Sequence, residues 1–219
     1  MNWTAIKDYI PLYKEAMWLT LKIGWIGIAL AIVLGIICAL VMHFKFPVIT
    51  QIIKVYIEIF RNTPLLIQLF FFYFGLPKLG ITITPETCGI IGLALHGGSY
   101  MAESFRSGLD AVPKIQDETA KSLGMSKFQR FFYIMLPQAA AISVPPLVAN
   151  VIFLLKETSV FSAISLMDLM FTAKDLIGLY YNTTEALFLL VVFYLIIILP
   201  VSILGTLLER RLRHAGFGD

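Results

Sequence analysis

Polar residues that interrupt long apolar stretches mark the places where this chain could do chemistry. Asn62-Thr63-Pro64 is one such interruption, because proline suits the first turn of a helix and Asn62 or Thr63 could cap it. A helix that begins in an apolar environment presents unpaired N–H groups, and these attract anions. The motif therefore predicts an anion-binding helix end. The alternative is that these side chains only satisfy backbone groups that Pro64 leaves unpaired.

Acidic and basic side chains at helical spacing form a second group. Glu103 lies about one turn before Arg106, and Glu58 precedes Arg61 by the same distance. A charge in the middle of a membrane costs roughly 2.5 to 3.5 kcal/mol on insertion scales, so a nearby counter-charge is expected. Each pair is either a local ion pair or a gate whose partners exchange.

Catalytic and metal-binding chemistry is disfavoured. His43, His96 and His214 are scattered singly, and no CxxC or HxxxH spacing occurs. Cys38 and Cys88 lie in apolar runs and are predicted to be buried free thiols. The nucleotide-binding pattern G-x-x-x-x-G-K-[ST] is absent as well. An integral membrane enzyme is therefore the weaker hypothesis, and we predict no catalytic residue, metal site or cofactor in this chain.

The elements that must position these residues are membrane helices. Hydrophobic residues make up 58% of the chain and charged residues 14%, whereas soluble domains are roughly 45–50% apolar. We predict an all-α integral membrane protein with a single domain over residues 1–219. Five segments reach the length of about 20 residues that crosses a bilayer. These are residues 17–42, 48–76, 84–106, 128–155 and 185–208.

Local signals refine these segments. A ribbon of small residues in the first segment predicts close helix packing: Gly27, Ala31, Gly35 and Ala39. A polar stripe in the second predicts a helix along the inner headgroups or one lining an aqueous vestibule: Gln51, Lys54, Glu58 and Arg61. Helix starts are predicted at Thr84-Pro85-Glu86 and at 182–185, which resembles a capping box. Prolines predict bends in the fourth segment at 137 and 145–146. Residues 160–170 predict a short helix resting in or on the membrane.

Basic residues predict the orientation of the chain. The formal charge of +3 is modest and dispersed, which gives no reason to invoke nucleic acid. Ten basic residues fall on one side: Lys45, Lys54, Arg106, Lys114, Lys121, Lys127, Arg130, Arg210, Arg211 and Arg213. Five fall on the other: Lys7, Lys14, Lys78, Lys156 and Lys174. The positive-inside rule then places the N-terminus outside and the C-terminus in the cytoplasm. Four aromatic residues fit an outer belt: Trp3, Tyr9, Tyr13 and Trp18.

The charged segment between the third and fourth spans predicts a helical hairpin in the cytoplasm. Pro113 can open a short helix, Gly124 can close it in the left-handed conformation, and Ser126 with Gln129 forms a capping box for the next helix. Small side chains would allow close external contact, and larger ones offer apolar anchors. The small group is Glu118, Thr119, Ala120 and Ser122; the anchors are Leu123, Met125 and Phe128. Such a rigid helix suits docking into the groove of a partner.

This segment resembles the signature of the membrane subunits of ATP-binding-cassette importers, E-A-A, three residues, Gly, nine residues, Ile, one residue, Leu-Pro. The matching residues are Glu118, Ala120, Gly124, Ile134, Leu136 and Pro137, and Thr119 is the one departure. The resemblance implies a coupling helix seated in a cleft of a cytoplasmic ATPase subunit. It implies these interface residues: Glu118, Thr119, Ala120, Ser122, Leu123, Gly124 and Met125.

Three further stretches are similar to permeases for polar amino acids: residues 60–77, 97–116 and 150–160. Departures from the family pattern are Asn62 for Gly, Ser99 for Ala, Ser107 for Gly and Glu157 for Asp. The resemblance implies the fold of a type I importer in the inner (cytoplasmic) membrane of a bacterium. It also implies a second permease subunit, two ATPase subunits that bind ATP and magnesium, and an external amino-acid-binding protein.

The interruptions in spans two and three would then lie at similar depth and form a substrate site. The candidate residues are Asn62, Thr63, Gln68, His96 and Ser99. The candidate gate residues are Glu58, Arg61, Glu103 and Arg106. His96 alone is more simply a satisfied core residue. Which amino acid is carried stays open, and an ATP-independent carrier or channel for small polar solutes is the alternative function.

Overall fold

The computed structural model describes the backbone of residues 1–216 and the side chains of residues 1–211. All regular structure in that range is helical. The helices are α1 (Trp3–Phe44), α2 (Pro47–Arg61), α3 (Leu65–Phe70), α4 (Pro85–Ala111), α5 (Lys114–Ser122), α6 (Lys127–Gln129), α7 (Leu136–Glu157), α8 (Leu169–Tyr180) and α9 (Thr183–Gly216). Arg213 and His214, which entered the sequence predictions, lie outside the residues whose side chains are described.

Helix α1 is much longer than the predicted first span. Its 42 residues extend about 63 Å, twice the hydrocarbon thickness of about 30 Å. Asn2 caps its start, because the side-chain oxygen of Asn2 accepts from the backbone N–H groups of Thr4 and Ala5. The predicted aromatic belt is wrong for two of its four members. Tyr9 and Tyr13 are buried, and the Tyr13 hydroxyl donates to the carbonyl oxygen of Ala186 at 2.7 Å.

Helix α4 packs along α1 through the predicted ribbon of small residues. A Cβ atom at Gly35 would overlap Met101 and the backbone of Ala102, so the two helices approach more closely there than any larger residue allows. Ala31 and Ala39 are buried beside it. The ribbon therefore forms the contact between the first and third predicted spans.

Within the described residues, three helices are long and apolar enough to cross a membrane, and a bent pair makes a possible fourth. These are α1, the helix running from Lys127 to Ile164, α9 up to Arg211, and α2 with α3. Helix α4 has the length but not the hydropathy. The reason is its central position, since its Gly, Ser and His residues face neighbouring helices rather than lipid. Hydropathy measures lipid exposure and underrates such a helix.

The second predicted span is not one tilted helix. Helices α2 and α3 meet at 104°. The predicted break at Pro64 is correct, but the predicted cap is wrong. Asn62 and Thr63 donate backwards, to the carbonyl oxygens of Glu58 (2.7 Å) and Ile59 (2.8 Å), so they close α2 rather than open α3. Beyond α3 the chain continues as a π turn and a 3₁₀ turn to Leu79.

Two short elements replace the predicted short helix at 160–170. A 3₁₀ helix covers Thr158–Ile164, a turn follows, and α8 begins at Leu169 with Asp168 as its N-cap. Phe161, Ile164 and Leu169 are fully buried in the main core. This segment therefore inserts between helices, because its apolar residues cover protein rather than lie on the membrane.

Pro145 and Pro146 lie inside α7, and the start of α9 is held differently from the sequence expectation. A π turn from Arg130 to Met135 precedes α7, and α7 continues through Pro145 and Pro146 without interruption. The capping box predicted at 182–185 is wrong. Glu185 Oε1 instead accepts from the backbone N–H of Asn2, while the side chain of Asn182 donates to the hydroxyl of Tyr9. Both side chains thereby join the start of α9 to α1.

Candidate functional site

The break between α2 and α3 opens onto a pocket of about 350 Å³. The end of α2, the break itself, the middle of α4 and the end of α7 each supply part of its wall. The wall includes Arg61, Asn62, Thr63, His96, Tyr100, Phe153 and Glu157. We call this space the break pocket. Its volume is within the range of about 300–1,000 Å³ that is usual for small-molecule sites.

Three of the five predicted substrate residues line the break pocket, and two do not. Asn62, Thr63 and His96 belong to its wall. Gln68 is buried, and its Nε2 atom donates to the carbonyl oxygen of Phe60 (3.0 Å), while lying 3.1 Å from Nδ1 of His96. Gln68 therefore ties the two arms of the break to α4.

Ser99 is the clearest correction in the predicted site. Its side chain is fully buried, and its hydroxyl donates to the carbonyl oxygen of His96 at 2.6 Å. The predicted donor to a substrate is thus already used within its own helix. For Gln68, the simpler expectation that polar groups satisfy backbone freed at the break describes the structure.

Aromatic rings shape the wall formed by α4 and α7. The Tyr100 ring lies 5.2 Å from the His96 ring and 5.4 Å from the Phe153 ring, between centroids. The guanidinium of Arg61 lies over the same tyrosine, 5.5 Å from its centroid. The Tyr100 hydroxyl donates to the backbone carbonyl of Arg61 at 3.3 Å. Tyr100 therefore holds the end of α2 against α4.

Glu157 is the functional candidate that the sequence predictions missed. It ends α7 on the wall of the break pocket, and no hydrogen bond or ion pair of its carboxylate occurs among the described residues. A carboxylate without a counter-charge near a membrane pathway is expensive and marks a functional site. The available signal was a lysine and an acidic residue, Lys156 and Glu157, directly after the apolar stretch from 151 to 155.

Three of the four predicted gate residues, Arg61, Glu103 and Arg106, form one network, and Glu58 lies outside it. Arg106 binds Glu103 through two hydrogen bonds (3.1 and 2.8 Å) and also reaches Asp110 at 2.9 Å. Arg61 lies 3.5 Å from the Glu103 carboxylate. The predicted pairing of Glu58 with Arg61 is wrong, because Glu58 instead accepts from the side chain of Asn62 at 3.0 Å.

This network contributes residues both to the break pocket and to a larger cleft of about 1010 Å³. Arg61 lines the pocket, whereas Glu103 and Arg106 line the cleft. The polar stripe of α2 faces the cleft through Gln51, Lys54 and Glu58, and its opposite face leaves apolar side chains exposed. The stripe therefore belongs to a cavity wall.

The hairpin at the mouth of the cleft has the predicted geometry. Gly124 has φ = +80°, which suits glycine, and the backbone N–H of Met125 bonds to the carbonyl oxygen of Ala120 at 3.2 Å. Ser126 and Gln129 complete the predicted capping box. We call residues 113–129 the coupling hairpin.

Most predicted interface residues of the coupling hairpin are exposed. Leu123 is 78% exposed and Phe128 is 69% exposed, so two of the three predicted apolar anchors stand free of the chain, whereas Met125 is half-buried. Ala120 is the correction, because it is only 4% exposed and points towards the rest of the protein. Its small size allows the hairpin to lie close to the chain rather than to a partner. The remaining predicted residues are exposed or half-buried: Glu118, Thr119, Ser122, Gly124 and Met125.

Two polar contacts join the coupling hairpin to the helix that reaches the break pocket. Arg130 donates to Asp117 at 2.7 Å, and Gln138 donates to Gln116 at 2.6 Å. Both donors lie on the continuous helical run that ends at Glu157. These contacts and the helical run therefore connect the coupling hairpin to one wall of the pocket.

Apolar spans, a polar pocket between them and an exposed hairpin together define a membrane-spanning transport subunit. Among the described residues, no three His, Cys, Asp or Glu side chains are arranged to hold a metal ion. Residues 31–214 match the family described as the inner membrane component of binding-protein-dependent transport systems, and the chain belongs to that family. The resemblance found in the coupling hairpin is thereby confirmed.

Similar proteins agree with this membership over nearly the whole chain. The chain is 33% identical to the probable glutamine ABC transporter permease protein GlnM of Bacillus subtilis, over 98% of this chain and 100% of that one. It is 32% identical to the glutamine transport system permease protein GlnP of Escherichia coli, over 97% and 98%. A crystal structure of an amino acid ABC transporter with histidines matches with a TM-score of 0.90 and 32% identity, over 96% of this chain and 99% of that one.

Proposed function

We propose that this chain is the permease subunit of an ATP-binding-cassette importer that carries a polar amino acid across the cytoplasmic membrane of a bacterium. The observation that carries the proposal is the coupling hairpin, an exposed and doubly capped rod in a chain without a nucleotide-binding loop. A separate ATPase dimer binds ATP and magnesium, and an external binding protein delivers the substrate. The names of the similar permeases support the substrate class.

The proposed topology has five spans: α1, the bent pair of α2 and α3, α4, the run through α7, and α9. The N-terminus is outside and the C-terminus is cytoplasmic. The excess of basic residues in the coupling hairpin and at the end of α9 supports this orientation. An odd number of spans gives a single chain no symmetric second half, so two permease subunits enclose the pathway.

In the proposed mechanism, substrate enters the break pocket and leaves through the larger cleft when the gate opens. Closure of the ATPase dimer moves the coupling hairpin. The contacts of Asp117 and Gln116 with the helical run towards α7 pass that movement to the wall that carries Phe153 and Glu157. The charged network at Glu103 then changes partners and opens the route between the two cavities.

The decisive experiment replaces Gly124 by Val in the assembled transporter. Valine cannot readily adopt φ = +80°, so the left-handed cap is lost and the hairpin changes shape. We expect ATPase stimulation by loaded binding protein to fall about tenfold or more, while basal hydrolysis by the ATPase subunits persists. The measurement is phosphate release in proteoliposomes with and without loaded binding protein.

Gly178→Val is the matched control. Gly178 lies in α8, where a Cβ atom would also meet open space, but its φ is not positive, so valine there adds bulk without altering a cap. Normal stimulation in Gly124→Val would contradict the proposed coupling. An ATP-independent carrier would reveal itself differently, by the absence of any ATPase subunit that co-purifies with the chain.

A further inference from the structure

Lysine side chains without counter-charges are concentrated around the larger cleft. Its wall carries six lysines and arginines and five carboxylates. Both arginines of the wall are in ion pairs, which also occupy three of the carboxylates. The four lysines have no ion pair within the described chain, and we call them the cleft lysines: Lys45, Lys54, Lys114 and Lys127. Among the carboxylates of the wall, Glu58 and Glu118 are also outside ion pairs in that part of the chain, so four positive charges face two negative ones.

The fold, rather than one run of sequence, brings the cleft lysines together. Lys45 caps the end of α1, Lys54 lies on α2, and the other two begin α5 and α6. All four residues are exposed. The ammonium group of Lys127 lies 5.4 Å from the centroid of the Phe44 ring, which holds it near the end of α1. Because like charges repel, an anion bound among the cleft lysines would stabilise this arrangement.

Helix α2 places an exposed apolar surface next to these charges. Four apolar side chains at helical spacing are each more than half exposed, and we call them the apolar row: Val48, Ile52, Val55 and Ile59. Lys54, on the same helix, faces the larger cleft. An amphipathic helix with apolar side chains on one face and a basic residue on another is typical of a helix at a membrane surface.

Both features lie at the cytoplasmic side in the proposed topology. Helix α1 ends at Phe44 and α2 begins at Pro47, so the turn that contains Lys45 lies at the inner edge of the membrane. Anionic headgroups of the inner leaflet attract basic residues that flank a membrane helix. A phospholipid with an anionic headgroup matches both features, because its phosphate meets the cleft lysines while its acyl chains cover the apolar row. A soluble anion would match only the lysines.

We infer that the cleft lysines and the apolar row bind an anionic phospholipid of the inner leaflet. The inference rests on the proposed orientation of the chain and is independent of the transported solute. Helix α2 also carries Arg61 to the wall of the break pocket. A lipid bound along α2 therefore supports one wall of the proposed transport pathway.

The test titrates dioleoylphosphatidylglycerol into the detergent-solubilised complex of this chain with its ATPase subunits. Native mass spectrometry counts the lipid molecules that stay bound. Lys45 and Lys54 are changed together to Gln, because both lie outside the coupling hairpin and their replacement leaves the contact with the ATPase subunits intact. We expect this double variant to bind the lipid about tenfold or more weakly than wild type. Changing both lysines to Arg keeps the charges and should preserve most of the affinity.

Lys7→Gln combined with Lys14→Gln is the matched control. Both lysines are exposed on the outer part of α1 and have no ion pair within the described residues, so the change in charge is the same. Binding of the lipid should stay as in wild type.

Two further probes separate the headgroup from the acyl chains. Glycerol 3-phosphate has a phosphate but no acyl chains, and it should displace the lipid at least about tenfold more weakly than unlabelled phosphatidylglycerol does. Dioleoylphosphatidylcholine has the same acyl chains and no net charge. It should bind more weakly than phosphatidylglycerol, and equally to wild type and to the double Gln variant.

Three results would overturn the inference. Unchanged binding of phosphatidylglycerol to the double Gln variant would exclude the cleft lysines, and an equal loss in the Lys7 and Lys14 control would show an effect of net charge alone. Displacement by glycerol 3-phosphate as strong as by the lipid would assign the cleft to a soluble anion. Stimulation of the ATPase by loaded binding protein, measured in phosphatidylcholine vesicles, tests the proposed importer function separately, so either proposal can fail without the other.

Discussion

Individual side chains in this protein pair with charged groups and with backbone groups that lack a helical partner. Glu103 shows this best, since it accepts from Arg106 and also pairs with Arg61 of another helix. The network around Glu103 contributes Arg61 to the break pocket and Glu103 and Arg106 to the larger cleft. Removing its charge weakens the pairing of two arginines at once, although Arg106 keeps its contact with Asp110.

Glu103→Gln should therefore disturb the proposed gate. Pairs at this degree of exposure are worth about 0.2–1 kcal/mol each, so losing both changes the balance of open and closed states by about two- to thirtyfold. We expect amino acid uptake by the assembled transporter to fall by a factor in that range, measured with labelled substrate in proteoliposomes. Unimpaired uptake in an assembled variant would remove the gate role.

Asp110→Asn is the control for this substitution. Asp110 pairs with Arg106 and not with Arg61, and its side chain is 63% exposed, so Glu103 keeps both of its arginines when Asp110 is neutralised. Uptake should stay close to that of wild type. A loss as large as that of Glu103→Gln would mean that general charge, rather than the pairing of α2 with α4, controls the rate.

The start of α8 is positioned by an acidic N-cap and by a hydrogen bond to α1. Helix α8 begins at Asp168, whose Oδ1 accepts from the backbone N–H of Phe171 at 2.9 Å. The other carboxylate oxygen is buried without a hydrogen-bond partner in the described chain. The backbone N–H of Leu169 donates to the hydroxyl oxygen of Thr20, which holds the start of α8 against α1. Because this acidic cap is buried, the stability of the protein around the start of α8 depends on pH.

Burial raises the pKa of Asp168 from 3.8 to about 7, although backbone hydrogen bonds at the cap oppose the shift. Between these values the unfolded chain has released the proton and the folded chain holds it. The free energy of unfolding therefore falls as pH rises from about 4 to about 7, and the effect ends above the folded pKa. We expect the melting temperature of the purified complex to decrease across that window.

Asp168→Asn keeps the capping oxygen and cannot ionise, so it should remove this part of the pH dependence. Asp175→Asn, at an exposed position on the same helix, should leave it intact. Thermal melting of both variants at several pH values between about 4 and 8 gives the comparison. If the melting temperatures of wild type and Asp168→Asn depend on pH equally, the carboxyl of Asp168 does not cause the pH dependence.

Over the whole molecule, features set by residues close together in the sequence could be predicted from it, whereas features set by distant residues could not. The start of α4 at Thr84 and the caps of the coupling hairpin depend on residues a few positions apart, and they are as predicted. The break at Pro64 was also predictable, but its angle and the direction in which Asn62 donates were not, because both helix ends compete for the same side chains.

Long-range pairings lay beyond the sequence patterns. Arg61 pairs with Glu103 rather than with Glu58, although the nearer residue has helical spacing. Glu157 lines the break pocket only because the end of α7 lies beside the break between α2 and α3. Ala120 faces inwards because the coupling hairpin leans on the π turn before α7. Each of these depends on how helices pack, which spacing along one helix does not report.

The last prediction concerns the arrangement of the whole chain across the membrane. Single cysteines at Trp3 and Leu123 provide matched probes, because both side chains are well exposed and the native Cys38 and Cys88 are buried. With a membrane-impermeant maleimide, Trp3→Cys should react in right-side-out vesicles and Leu123→Cys only in inside-out vesicles. Co-expressed ATPase subunits should then protect Leu123→Cys and leave Trp3→Cys reactive. Reaction of both probes from one side would exclude an odd number of spans between these two positions, and an externally reactive Leu123→Cys would remove the coupling hairpin from the reach of any cytoplasmic ATPase.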